Sequence, residues 1–451
     1  MLAVSRLPLP VPAISDYQFL AASTTPPTES QCFAVGRRCF TPAAMQNAYN
    51  LLPLYAANHQ GQGITIAIID SFGNPNMASD LANFDTQMSL PHMCGEPGQA
   101  CGAGTPTFQH VFWNGKTEVK APPPGSHDPG LQNRNAWTLE TSLDVEWAHA
   151  IAPLANIINV TTNPAETQGV QGLPAMMDAE QFIVDNHQAT VITQSFGAVE
   201  EGFSGTQALL NLRHAFVSAA ANGVTVLASS GDGGTANSKL TPVPNPTTVP
   251  FPTVNWPASD PLVTAVGGTY LCTNPVTGAG IDATDPPINC QVSPPTREIG
   301  WIASGGGFSH VFAKPAYQDT VPAGSTSIGA MRGIPDVAFQ ASSRTGPLVY
   351  DTAPGAGGWF IVGGTSCSSP QFAGLVAIAD QIAGHGLGQI NPTLYRLAAG
   401  GSYGTYFYDV NTGNNQADPS IPGYPATTGW DPVTGLGTPN AAMLVPALAA
   451  G

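Results

Sequence analysis

Apolar residues recur along this chain in two alternating rhythms. Short, nearly unbroken β-branched runs occur at 63–70 (GITIAIID), 155–162 (ANIINVTT), 189–197 (ATVITQSFG), 224–231 (VTVLASSG) and 262–268 (LVTAVGG). Between them, residues 76–87, 137–151, 171–186 and 204–221 carry the helical period, and further helices are predicted at 367–383 and 439–449. Strands apolar on both faces, alternating with helices, predict a parallel, doubly wound α/β sheet. Ligands bind such sheets beyond the carboxyl ends of the strands. The segment 41–51 predicts a helix with Thr41 as N-cap and Pro42 at its first position. Residues 1–40 show no period and predict an irregular N-terminal arm. Residues 92–130 and 235–260 predict long Pro- and Gly-rich loops. No linker interrupts residues 41–451, which predict one large domain.

Composition narrows the choice of partners. Only 9% of the 451 residues are charged, and 29 acids against 13 bases give a net charge of -16. That balance excludes nucleic acid and anionic membranes as partners. No run of eighteen apolar residues occurs, so no transmembrane helix is expected. At low pH the carboxylates become neutral, and so few bases then leave little positive self-repulsion. The composition thus suits an acid-tolerant protein as well as a merely acidic one. Cys32 and Cys39 are near neighbours, as are Cys94 and Cys101, and Cys272 and Cys290 bracket a loop. Pairing them gives three short disulfides, an oxidising compartment and an unpaired Cys367; six free thiols are the alternative. The opening MLAVSRLPLPVPAI is broken by Pro8, Pro10 and Pro12 and lacks the apolar core of a signal peptide.

Three motifs carry candidate chemistry. GGTSCSSP (363–370) delivers Ser366 through a Gly-rich turn to a helix start, with Pro370 expected in the opening turn. Backbone N–H groups and the helix dipole there favour a developing oxyanion, though by only ~0.3–1 kcal/mol from the dipole. A base is therefore needed. WTLETSLDVEWAHAIAP (137–153) reads as a helix with Leu139, Leu143 and Trp147 on one face. It carries Glu140 and Asp144 one turn apart. Such like-charged neighbours raise at least one pKa and suit general-base work at acid pH. The alternative is a solvated acidic face. SSGDGG (229–234) places Asp232 at the end of a strand, either as an ordinary turn residue or as a protonated carboxyl able to donate to an oxyanion.

In this order and combination, the E-x-x-x-D helix, S-G-D-G and G-T-S-x-x-x-P resemble the sedolisins, the serine-carboxyl peptidases related to subtilisins, over roughly residues 41–449. The resemblance implies a subtilisin-like three-layer α/β/α sandwich with a mostly parallel seven-stranded sheet. It implies an endopeptidase with Ser366 as nucleophile, Glu140 as base and then acid, Asp144 tuning Glu140, and Asp232 in the oxyanion hole with the Ser366 N–H. Ser195, Phe196 and Gly197 match the segment beside bound peptide. One structural Ca2+ is implied near the C-terminus. Its ligands would be the side chains of Asp409 and Asp431 and the carbonyls of Val410, Thr427 and Gly429; Thr427 stands where the family usually has Gly. Cys367 stands where the family has a small residue, and forty residues of arm cannot be the family's long prodomain. The expected partners are protein or peptide substrates, met by a monomeric, extracellular enzyme.

Two other readings compete with this one. A Ser–His–Asp subtilisin would use Asp70, which ends the first strand. Yet no histidine stands in an H-G-[ST]-x-V-A context, His127 and His149 included. At pH 4 an unperturbed histidine is neutral in about one molecule in 300, whereas a glutamate is about one-third ionised. Asp70 is then expected to be structural. The other rival is an inactive calcium-stabilised binding protein on a peptidase fold.

Overall fold

The computed structural model describes residues 16–114, 116, 118–119, 131–162, 170, 172–239 and 247–451. Its centre is a nine-stranded sheet. The strands Phe108–Trp113, Asn156–Thr162, Thr65–Ser71, Val191–Gln194, Thr225–Ser229, Thr264–Leu271 and Val337–Gln340 lie side by side in that order, all parallel. Seven is the number the resemblance implied; five of these strands fall in the runs read from the sequence, and Phe108–Trp113 and Val337–Gln340 do not. Two short strands add antiparallel edges: Glu118–Val119 on the first, and Glu298–Gly300 on Thr264–Leu271.

Strand Thr65–Ser71 shows why the runs are continuous rather than alternating. Ile66 and Ile68 enter one apolar core, while Ala67 and Ile69 enter another on the opposite face. The first core also takes Leu139, Leu143 and Trp147 of the helix Leu131–Ile151 and Phe372, Leu375 and Val376 of the helix Thr365–Ala383. The second holds Met176, Ile183 and Phe216 of the helices Leu173–Asp185 and His214–Ala221. Helices on both faces make the subtilisin-like α/β/α sandwich.

Several expected boundaries shift. The helical reading at 204–221 divides into Thr206–Leu210 and His214–Ala221. The helix opened by Thr41 ends at Ala48; the Thr41 hydroxyl accepts from the Ala44 N–H, and Pro42 sits at the first position. The strand Phe108–Trp113 lies inside the stretch expected to be loop.

The arm is not irregular from residue 16 onward. Asp16–Ala21 is a strand, pairing antiparallel with Gly358–Gly363, which also pairs with Leu348–Asp351. Glu29–Ala34 is a helix opened by a Thr28–Gln31 capping box. The arm thus completes a small sheet whose central strand runs straight into the Gly364–Ser366 turn.

All three disulfides pair as neighbours: Cys32–Cys39, Cys94–Cys101 and Cys272–Cys290. Cys367 is buried and free. Its thiol is pushed well above the ordinary value, first by burial and then by Glu140, Asp232 and Asp144, so it packs as a small apolar side chain. No helix among the described residues is long and apolar enough to cross a membrane.

Candidate active site

The helix bearing Glu140 and Asp144 is buried throughout its second half. Both carboxyls have 0% exposure, which rules out a solvated acidic face. Their i, i+4 spacing puts both on one helix face, where Asp144 meets Ser195, the residue after the strand Val191–Gln194. Burial pushes Glu140 well above the usual carboxyl range, and the charges of Asp144, Asp70 and Asp232 push it further. Only the Ser366 hydroxyl pulls the other way. That contact is loose: neither Glu140 oxygen and not the Ser366 Oγ reaches full hydrogen-bond geometry. Loose contacts of this kind are usual before substrate arrives.

Ser366 comes from the other direction. The strand Gly358–Gly363 is followed by Gly364, whose φ of +151° lies in a region open chiefly to glycine. The helix begins at Thr365, so Ser366 is in its first turn and fully buried. Pro370 is not in the opening turn as expected; it is the sixth residue of the helix Thr365–Ala383. A proline there cannot donate to the carbonyl four residues earlier, that of Ser366.

Asp232 follows the strand Thr225–Ser229. Its Oδ1 accepts from the Thr365 N–H at 2.7 Å and from the Thr365 hydroxyl at 2.9 Å. The Thr365 hydroxyl oxygen in turn accepts from the Gly231 N–H at 3.0 Å. This clamp fixes Asp232 against the turn that carries Ser366. It was not legible in the motif, because it joins residues 133 apart in sequence.

Asp144 is held by Ser195, whose hydroxyl donates to Oδ1 at 3.0 Å. Burial raises Asp144 well above its ordinary value, and Asp70 adds repulsion. Phe196 is buried in the second apolar core. The side chains of Ser195 and Phe196 are thus both engaged inside the protein. Gly197 packs close to Asn255 and Trp256: a Cβ there would lie 3.2 Å from the Trp256 carbonyl oxygen.

Asp70 is the next-to-last residue of the strand Thr65–Ser71 and has 0% exposure. Burial pushes it up to about 7, against hydrogen bonds from Asn159 and Thr141. The Asn159 side chain donates to Oδ2 at 2.7 Å. No described histidine bonds to Asp70 or to Ser366. His149 instead donates to the Pro91 carbonyl at 2.9 Å and faces Asp85; His127 lies outside the described residues. Asp70 therefore belongs to the carboxyl cluster and not to a Ser–His–Asp arrangement. The single signal for it in the sequence was its place at a strand's end.

Near the C-terminus, Asp431 is buried and pushed up to about 7 by that burial. Its Oδ2 accepts from the Thr427 N–H at 2.9 Å, and its Oδ1 from the Val433 and Thr434 N–H groups at 2.8 and 2.9 Å. Asp409 accepts from the Gly429 N–H at 2.9 Å and the Tyr403 hydroxyl at 3.0 Å. The Val410 carbonyl receives only a long 3.4 Å contact from the Thr434 hydroxyl. Among the described residues the Thr427 and Gly429 carbonyls accept no hydrogen bond. Two carboxyls and lightly used carbonyls in one loop system fit a hard cation.

Residues 131–389 match the subtilase family. The chain is similar to kumamolisin from Bacillus sp. (strain MN-32), 31% identical over 430 residues, 93% of this chain and 65% of that protein. It is 34% identical over 277 residues to sedolisin from Pseudomonas sp. (strain 101), covering 61% of this chain and 44% of that one. Tripeptidyl-peptidase 1 from Macaca fascicularis is 31% identical over 349 residues, 71% and 53% of the two chains. The chain thus spans about half to two-thirds of the length of these curated relatives. Among solved structures, Pseudomonas sedolisin, a serine-carboxyl proteinase complexed with two molecules of pseudo-iodotyrostatin, superposes with a TM-score of 0.69 at 26% identity, covering 92% of this chain and 99% of that one.

Proposed function

The chain belongs to the sedolisin family of serine-carboxyl peptidases, on a subtilisin-like fold, and on that premise we propose that it is an acid-acting endopeptidase with Ser366 as nucleophile and Glu140 as base. One observation carries the reading: two fully buried carboxyls a helical turn apart, with the Ser366 hydroxyl as the one hydrogen-bonding influence on the nearer.

In this reading, Glu140 takes the proton of Ser366 as its Oγ attacks the scissile carbonyl of a peptide. The oxyanion is met by the Ser366 N–H and by a proton on Asp232, whose Oδ1 is already an acceptor, so Oδ2 is the donor oxygen. Glu140 then passes its proton to the leaving amine, giving an acyl-enzyme. Water, deprotonated by Glu140, hydrolyses the acyl group and restores Ser366. Asp144, positioned by Ser195, and Asp70 keep Glu140 from resting as a stable carboxylate, which makes it a stronger base once ionised. Activity requires Asp232 protonated, so it falls toward neutral pH.

The test is peptide cleavage across pH by wild type, Ser366→Ala and Glu140→Gln. Each variant is expected to lose at least about 10⁴-fold in turnover, the scale seen when members of a hydrolytic triad are removed. Near-normal cleavage by Glu140→Gln would remove it as base.

One structural Ca2+ is proposed at Asp409, Asp431 and the carbonyls of Val410, Thr427 and Gly429. When bound it would tie the two C-terminal loops together. EDTA is expected to lower the melting temperature of wild type and to leave Asp431→Ala unchanged. Equal responses in both would place the ion elsewhere. The three disulfides support an extracellular location. Substrates are protein or peptide chains, cleaved by a monomer.

A further inference from the structure

A second cluster of ionisable groups lies away from Ser366, where the loop after the helix Met77–Met88 folds back over its last turn. Asp85, His92 and Glu96 each turn one ligand atom inward, all within 4.8 Å of one another. Asp85 is fully buried, and neither of its oxygens has a hydrogen bond. Its charged neighbour His149 has Nε2 3.3 Å from Oδ2 but directs that proton to the Pro91 carbonyl, so Asp85 keeps oxygen lone pairs for a further partner.

The surrounding bonds orient the other two groups. The Thr86 hydroxyl donates to the Ala82 carbonyl at 2.8 Å, so its oxygen accepts from His92 Nε2 at 3.3 Å. The ring proton is thereby assigned to Nε2. Nδ1 faces Glu96 Oε2, 2.5 Å away. The other Glu96 oxygen is held by the Met93 N–H. Atoms that close share a proton, which an incoming metal ion displaces when it takes both as ligands. Behind the cluster, His149 Nε2 donates to the Pro91 carbonyl at 2.9 Å and lies 3.3 Å from Asp85 Oδ2. Outer partners of this sort fix the tautomer and aim of ligating side chains.

We propose that Asp85, His92 and Glu96 bind a divalent transition-metal ion of the zinc class, which pins the 89–102 loop to the Met77–Met88 helix. One imidazole and two carboxylates suit zinc, whereas calcium prefers six to eight oxygens. Ligand bonds of 2.0–2.2 Å imply tetrahedral edges of ~3.4 Å. The Nδ1–Oε2 pair must therefore open by about 1 Å while the wider separations close. The side chain of His92 is 31% exposed, which gives the ion an entry path and leaves room for a water as fourth ligand. The site is independent of the peptidase reading and of the Asp409–Asp431 loops.

The test uses the whole chain, stripped of metal, saturated with Ca2+ and held at pH 7 so that protons do not compete for the ligands. Zn2+ is titrated calorimetrically, and Co2+ is followed by its visible absorption. The expected result is one Zn2+ per chain, a tetrahedral Co2+ spectrum and a higher melting temperature. His92→Ala and Glu96→Gln should each weaken Zn2+ by at least about 100-fold, the upper end of what even outer-shell losses cost. His92 is partly exposed, so His92→Ala tests the site without disturbing the core. Absence of Zn2+ binding in wild type, or undiminished binding in His92→Ala, overturns the proposal and leaves a proton shared between His92 and Glu96.

Discussion

Two pairs of buried ionisable side chains, each four residues apart, are handled in opposite ways by this fold. Arg332 and Asp336 have 0% exposure and are joined by bonds of 3.0 and 2.7 Å. Asp336 also accepts from the Ala265 N–H at 2.9 Å and the Tyr395 hydroxyl at 3.0 Å, and Arg332 donates to the Val263 carbonyl at 3.1 Å. In that pair only the Arg332 Nε lacks a partner. Glu140 and Asp144 are just as buried but carry the same sign of charge, and three of their four oxygens have no hydrogen bond. Burial alone therefore does not mark a working site. What sets the second pair apart is like charge combined with unmet bonding capacity, which leaves it able to meet a further partner.

The sharpest way to break the comparison is to make the structural pair resemble the other. Arg332→Met leaves Asp336 buried without its counter-charge. Losing one partner of a buried pair costs about 3–5 kcal/mol. Urea unfolding at pH 6 should show a loss of that size, with turnover per folded molecule unchanged. A loss below ~1 kcal/mol would mean that the pair is not a structural joint, and the contrast with Glu140 and Asp144 would fall.

That contrast was only half legible in the sequence. The strands at 63–70, 155–162 and 224–231 could be read because both faces are buried and the run is uninterrupted. Phe108–Trp113 hid in a Pro-rich stretch, and Val337–Gln340 is only four residues long. Asp16–Ala21 pairs with a strand more than three hundred residues away, so nothing local announced it. The site divides similarly. Glu140 and Asp144 share one helix, and Ser366 sits in one contiguous turn, so local motifs could single them out, while their roles came from the resemblance. The Thr365 clamp on Asp232, the Ser195 bond to Asp144 and the closeness of Asp70 all depend on which strands adjoin in the sheet. That order is a tertiary fact with no local signature.

A smaller effect would sharpen the comparison by showing what the unpaired acids cost. Burial raises Glu140, Asp144, Glu146 and Glu180 well above their ordinary values, and pushes Asp70 and Asp380 up to about 7. For an acid raised in this way, the folded chain holds its proton over a pH range where the unfolded chain has lost it. Stability is then greatest below the unfolded value and falls as pH rises toward the folded one. Each such group contributes a slope of about 1.4 kcal/mol per pH unit within that window. Wild type should accordingly be most stable near pH 4 and lose stability steadily from pH 5 to pH 7. Glu140→Gln deletes one titrating group and keeps the side chain's shape, so its loss over the same range should be shallower by up to about 1.4 kcal/mol per unit. Chemical denaturation of both proteins at pH 5, 6 and 7 measures the two slopes. Parallel slopes would mean that Glu140 ionises in the folded chain as freely as in water, which its burial beside Asp144 does not allow.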